Sequence, residues 1–217
     1  MSQILILVGQ STLETLIMTF FSALFALILG FPLGILLNIT NRFGITPKPV
    51  FNIVLSRIID VLRSFPFVIL MIVLLPFTRL VLGSAIGTAP TIVPLAIAAT
   101  PFVARITETA LNEVDSGMVQ AAKSMGSTNW QIIYKVLVPE AMPSVVSGIT
   151  LTIITLIGYS AMAGTLGGGG LGDLAIRYGY QRFRTGIMVA SVIVIIILVA
   201  LIQFAGTKIT NRMMSKR

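Results

Sequence analysis

Five long stretches of this chain carry no charged residue at all: 15–41, 64–78, 80–104, 141–172 and 185–207. A helix crosses the hydrocarbon core of a bilayer with about 20 apolar residues, and four of the five stretches reach that length unaided. The second, 64–78, is too short alone, so its helix is expected to start near Arg57 and to carry Asp60 and Arg63 in its first turns. Gly83, Gly87 and Pro90 mark a loop at the start of the third stretch, and Gly164 with the run Gly167 to Gly170 marks one at the end of the fourth. Five spans remain, at about 12–39, 55–76, 91–111, 142–162 and 186–206. The reading is an all-α polytopic membrane protein of a single domain, 1–217. Only 10% of residues are charged against 56% hydrophobic, which leaves no room for a sizeable water-facing domain.

Five passes put the two termini on opposite sides, and the positive-inside rule chooses between the orientations. With the N-terminus outside, eleven Lys and Arg fall inward, among them Arg42, Lys48, Lys123, Lys135 and the Lys208 to Arg217 tail. Four fall outward: Arg79, Arg177, Arg182 and Arg184. The expected topology is N-out, C-in. The net charge of +8 is therefore assigned to inner loops, not to nucleic-acid binding. The first dozen residues lack the basic start of a secretory signal, so the first span is expected to be retained.

One inner loop is long, at about 112–141. Asp115 or Ser116 can cap a short helix there, and Gly126 can end it, because glycine tolerates the left-handed backbone of a helix terminus. Thr128 and Gln131 have capping-box spacing, so a second helix is expected to begin there and to stop before Pro139. Met118, Ala121, Ala122 and Met125 lie at i, i+3, i+4 and i+7, one apolar stripe on a helix outside the bilayer. Such a stripe either packs on the chain's own inner face, rests in lipid headgroups, or docks a partner. Pattern alone does not choose.

The order of residues does. Gln120-Ala121-Ala122, then three residues to Gly126, then nine more to Val136-Leu137-Val138-Pro139, resembles the E-A-A-x3-G-x9-I-x-L-P signature of ABC importer permeases. Gln120 stands for Glu, Val136 for Ile and Val138 for Leu; Ala121, Ala122, Gly126 and Pro139 match directly. Further strings resemble the methionine (D-methionine) branch: Arg63-Ser64-Phe65-Pro66-Phe67, Pro101-Phe102-Val103-Ala104-Arg105, Gly158-Tyr159-Ser160-Ala161-Met162 and Arg177-Tyr178-Gly179-Tyr180. The resemblance implies a type I importer fold in a bacterial cytoplasmic (inner) membrane. It implies a second copy of the chain, two ATP-binding cassette ATPase subunits holding ATP and Mg, and an external substrate-binding protein or lipoprotein. The loop would be the coupling helix, with Asp115, Ser116, Met118, Gln120, Ala121, Ala122, Met125, Gly126 and Pro139 as its contacts. Met162 would line the gate, with Tyr159 and Ser160 beside it.

The remaining motifs are weaker. Gly167, Gly169 and Gly172 satisfy a G-x-G-x-x-G count but lie between two spans, with no strand expected before them. Gly170-Leu171-Gly172-Asp173 matches a G-x-G-D protease string that needs a second Asp at the same depth; the other candidate, Asp60, is expected toward the opposite face. A flexible outer loop is the expected state of 164–172. Arg57, Asp60 and Arg63 lie at spacing three, so Asp60 can pair with either arginine, and Arg105 with Glu108; both sets are expected near the inner interface as structural pairs. Gly30 and Gly34 flank Pro32 as a helix-packing motif. Zero Cys and zero His exclude thiolate and imidazole chemistry, and without a Walker A lysine motif the chain is expected to bind no nucleotide or other cofactor of its own.

Overall fold

The computed structural model describes residues 2–215, with side chains from Leu5 onward. Its backbone is helical almost throughout. The elements are α1 (Ser2–Thr40), α2 (Pro49–Ser64), α3 (Phe67–Leu82), α4 (Thr88–Asn112), α5 (Ser116–Ser124), α6 (Asn129–Ile132), α7 (Val138–Gly164), α8 (Gly170–Asp173) and α9 (Thr185–Met214). Wider, π-helical turns join α6 to α7 at Ile133–Leu137 and extend α8 at Leu174–Tyr180. Among the described residues, four continuous helices are long and apolar enough to cross a membrane, and α2 with α3 passes the same test as one bent pair.

The bundle is organised by α1 lying parallel to α4. Gly30 rests on α4 so closely that a Cβ there would stand 2.6 Å from the Thr100 carbonyl oxygen and 2.7 Å from Val103 Cβ. One turn on, a Cβ at Gly34 would stand 2.5 Å from both the Ala104 carbonyl oxygen and Thr107 Cβ. Further along, Asn38 Nδ2 donates to Asn112 Oδ1 at 2.8 Å. Lipid tails are as apolar as leucine, so helices in a membrane are drawn together by contact area and not by the hydrophobic effect; small residues allow that contact. Behind this pair the core continues through Met18, Met71, Leu95, Val103 and Leu156. The α7 helix packs antiparallel to α4, with Ile106 filling the space over Gly148, and α9 returns along α7 with Gly206 against Thr150.

The second span departs from expectation. One helix over 55–76 was expected, but α2 and α3 meet at 103°. Pro66 is the cause: its ring disfavours helical backbone at the residue before it, and Phe65 is extended at φ −68°, ψ 126°. The fourth span departs in the other direction. The loop helix was expected to stop before Pro139, but the chain stays helical from Asn129 to Gly164. A proline inside a helix clashes with the carbonyl four residues back, here that of Lys135, and the π-helical turn Ile133–Leu137 widens the backbone where that clash would fall. The inner loop thus ends near Asn129, and its second half is the foot of a span.

The glycine-rich segment is also not a flexible loop. Gly164, Gly168, Gly170 and Gly172 are buried, and Gly172 lies directly on the Ala161 backbone, where no Cβ fits. Glycine serves here for close approach.

Gly34→Ala is expected to push α1 off α4 and to lower the thermal unfolding midpoint of the solubilised protein, at a cost of about 1–3 kcal/mol. Gly9→Ala, where a Cβ meets nothing within 4 Å, is expected to leave the midpoint unchanged or slightly higher. Equal midpoints for Gly34→Ala and the unmodified protein would contradict this packing.

Candidate functional site

The α5–α6 elbow projects beyond the Asn112 end of the bundle. Asp115 caps α5, its Oδ1 accepting from the Gly117 amide at 2.8 Å. Gly126 ends it with φ +77°, a left-handed conformation that costs other residues energy. Thr128 and Gln131 form the full capping box, the Thr128 amide donating to Gln131 Oε1 at 2.9 Å and the Gln131 amide to Thr128 Oγ1 at 3.3 Å. Both helix ends match the expectation from sequence.

The stripe on α5 does not stay together. Ala122 turns inward against Leu111, Ile132, Leu137 and Ala141, with Val119 packing beside it. Met118, Gln120, Ala121 and Met125 remain exposed. The edge of α5 carrying Val119 and Ala122 rests on the cluster of Leu111, Ile132 and Leu137, so the neighbouring edge faces out. Met125 is 81% exposed and Trp130, on the facing arm of the elbow, is 73% exposed. Tyr134 is exposed as well, at 66%. Trp130 and Tyr134 were missed from sequence, although both fall within the signature's nine-residue spacer. Pro139 lies in the first turn of α7, just after the widened turn.

At the opposite end, the three residues proposed as a gate fare differently. Ser160 is buried and donates to the Ile157 carbonyl at 2.8 Å. Tyr159 stacks on Phe67 with ring centroids 4.5 Å apart and planes 2° from parallel. Only Met162 presents its side chain outward, 47% exposed. The nearby short helix α8 is fastened to α1: Glu14 Oε2 accepts from the Gly170 amide at 2.7 Å and Thr15 Oγ1 from the Leu171 amide at 2.9 Å. Asp173 pairs with Arg177 at 2.7 Å. Burial pushes the Asp173 carboxyl above its ordinary value; the Arg177 charge and hydrogen bond pull it down, and Glu14 adds a smaller upward push.

A third charged group lies inside the bundle. Arg105 on α4 donates to Glu108 Oε2 at 2.6 Å, to Asp60 Oδ1 at 2.7 Å and to Ser56 Oγ at 2.9 Å. The Arg105–Glu108 pair was expected. Asp60, expected to pair with an arginine of its own helix, takes Arg105 as its near partner and reaches Arg63 only at 4.0 Å. Both aspartates of the protease reading are thus paired to arginines, and neither is free to share a proton with the other.

The sequence matches the family described as binding-protein-dependent transport system inner membrane component over residues 30–215. The chain belongs to this family. It is a multi-pass inner-membrane protein that works as a transporter subunit and not as an enzyme. The probable D-methionine transport system permease protein of Pasteurella multocida is 52% identical over 206 residues, 95% of each chain. The methionine import system permease protein of Bacillus subtilis is 45% identical over 176 residues, 81% of this chain and 79% of its own. Among solved structures, a chain of the MetNI methionine ABC transporter in inward-facing conformations superposes with a TM-score of 0.96 at 42% identity, covering 98% of this chain and 99% of that one. A chain of an amino acid ABC transporter superposes at 0.78 with 20% identity, which extends the type I importer fold to a more distant member.

The raised Asp173 carboxyl makes the family member's stability respond to pH. The folded protein holds that proton more tightly than the unfolded chain, so the associated stability is present below the ordinary carboxylate range and is lost as pH rises through the folded-state value. Asp173→Asn removes the titration. Its unfolding midpoint is therefore expected to climb relative to the unmodified protein as pH rises above the ordinary carboxylate range; a constant difference would contradict the burial argument.

Proposed function

We propose that this chain is the membrane-spanning translocation subunit of an ATP-driven importer of methionine, in its D- or L-form, or of a related small amino acid. It would act as a homodimer carrying two ATPase subunits on the inner face, with an external binding protein delivering substrate to the outer face. The single observation that carries this reading is the exposed apolar elbow of Met118, Ala121, Met125 and Trp130. An apolar surface outside the lipid needs a covering partner, and a short helix presenting small and flexible side chains suits a groove on another protein. The names of the relatives supply the substrate.

Mechanically, the reading is alternating access. One coupling loop per chain and two ATPases per transporter call for two copies. Closure of the ATPases on ATP would draw the two α5 helices together. The Asn129–Gly164 helix spans 36 residues, about 54 Å at 1.5 Å per residue, and connects the elbow to the Met162 end without a break. Force applied at α6 would therefore tilt the whole helix and move Met162 with it. Asp115 and Ser116 set the start of α5, Gly126 the elbow angle, and Pro139 the widened turn at the base of the lever. The chain orients and gates; ATP and its Mg would reside on the partner subunits.

The test is reconstitution of the permease with its co-expressed ATPase, followed by ATP-dependent uptake of labelled methionine into liposomes. Gly126→Val introduces a β-branched side chain at a left-handed position, where nothing lies within 4 Å of its Cβ, so the change acts through backbone strain of about 1–2 kcal/mol. Co-purified ATPase and uptake are both expected to fall, with the unfolding midpoint of the spans little changed. Full ATPase recovery with undiminished uptake would count against the docking role of the elbow.

A further inference from the structure

A cleft with a volume of about 610 Å³ runs between α2, α4, α7 and α9. It begins at Arg63 and Phe102, close to the middle of α4, and descends past Ile106 and Gly148 to Glu113 and Met214 at the Asn112 end. Pockets for small ligands typically measure about 300–1,000 Å³, with mainly apolar walls and a few placed polar groups. This cleft has that composition. Its depth is a consequence of the broken second span: α2 stops at Ser64, so Arg63 stands against the centre of α4 and not at the inner interface.

Two arginines border the cleft, and their states differ. Arg105 donates three hydrogen bonds, to Glu108, Asp60 and Ser56. Arg63 has only the 4.0 Å approach to Asp60 and the face of Phe102, 5.1 Å from guanidinium carbon to ring centroid. The Arg63 side chain is 35% exposed, and a ring face engages its charge while leaving its N–H edge available. The unused donors of Arg63 therefore border a mainly apolar space, an arrangement that a bound anion with an apolar body would complete.

We propose that this cleft binds the transported amino acid, with Arg63 holding its carboxylate in a two-pronged hydrogen bond and Phe102 and Ile106 facing its apolar side chain. The inference rests on the importer reading above and adds the position of the substrate within the membrane. A planar guanidinium matches a carboxylate with two parallel N–H donors, and its fixed stack on Phe102 orders it before the ligand arrives. The lining of the cleft runs from Arg63 to Glu113 and Met214 at the Asn112 end, so a substrate held at Arg63 would leave on the side of the ATPases. Arg63 is the specificity-determining residue for the carboxylate, and the stack on Phe102 positions it.

The experiment uses the assembled, nucleotide-free transporter in lipid nanodiscs and a diazirine analogue of methionine, with crosslinked peptides mapped by mass spectrometry. Labelling is expected within 102–113 and 143–148. Methionine should compete for it, and methioninamide, which lacks the carboxylate charge, should compete about tenfold less well. Arg63→Gln should reduce labelling at low probe concentration about tenfold, and Arg63→Lys less, since the charge is kept and only the fork is lost. Should either variant fail to assemble, the competition on the unmodified transporter still decides. Labelling elsewhere in the chain, equal competition by methioninamide, or an indifferent Arg63→Gln overturns the proposal. Displacement of the probe by an anionic phospholipid instead of methionine also overturns it, in favour of a headgroup site. Loss of methionine uptake by the unmodified transporter would sink the importer reading itself, whereas intact uptake with any of these failures sinks the site alone.

Discussion

The parallel contact of α1 with α4 governs the rest of the molecule. In lipid, a helix pair gains little from burying apolar surface, because the alternative solvent is equally apolar, and close backbone approach has to supply the attraction. Gly30 and Gly34 permit that approach against Thr100, Val103, Ala104 and Thr107. Parallel neighbours cannot be joined by a tight turn, so the intervening chain must climb back through the bilayer as α2 and α3. That return is where the structure is least regular and where its charges collect. The α7 and α9 helices then wrap the open side of the pair in antiparallel order.

Breaking the return crossing at Phe65 and Pro66 has two consequences. It sets the polar edge of α2, with Ser56 and Asp60, against Arg105, so that a charged group inside the bundle is used as a clamp between helices. The pair is partly exposed, with Arg105 at 24% and Asp60 at 47%, and Arg105 also holds Glu108 at 2.6 Å. It also stops α2 part-way across, leaving Arg63 beside Phe102 with most of its donors unclaimed. Irregular backbone at membrane depth is tolerated where it borders a cavity, and the cleft below Arg63 is that cavity.

The two ends of the bundle are built by opposite means. At the Asn112 end, α5 projects on a glycine elbow and exposes Met125 and Trp130; at the Gly164 end, the glycine-rich segment folds back into the bundle and is stapled to Glu14 and Thr15. A single uninterrupted helix from Asn129 to Gly164 joins them. Under the proposed function this helix is the lever, and its continuity depends on the π-helical turn that accommodates Pro139. Met162 at its far end is 47% exposed, in contrast to the stacked Tyr159 and the buried Ser160 just before it.

The number of crossings, the caps at Asp115, Thr128 and Gly126, and the importer signature were legible in the sequence because each depends on neighbours within about a helical turn: runs of apolar residues, side chains that reach their own backbone, and a glycine that alone accepts left-handed φ. Local rules misjudged Pro139, Pro66 and the 164–172 glycines, since whether a proline ends a helix or only widens it, and whether glycines flex or pack, is decided by what lies alongside. The same holds for the pairing of Asp60 with Arg105, the inward turn of Ala122 away from Met118 and Met125, and the placement of Arg63 over Phe102. Each of these joins residues far apart in the chain, and their partners are chosen by how the helices lean on one another, a quantity that no local pattern encodes.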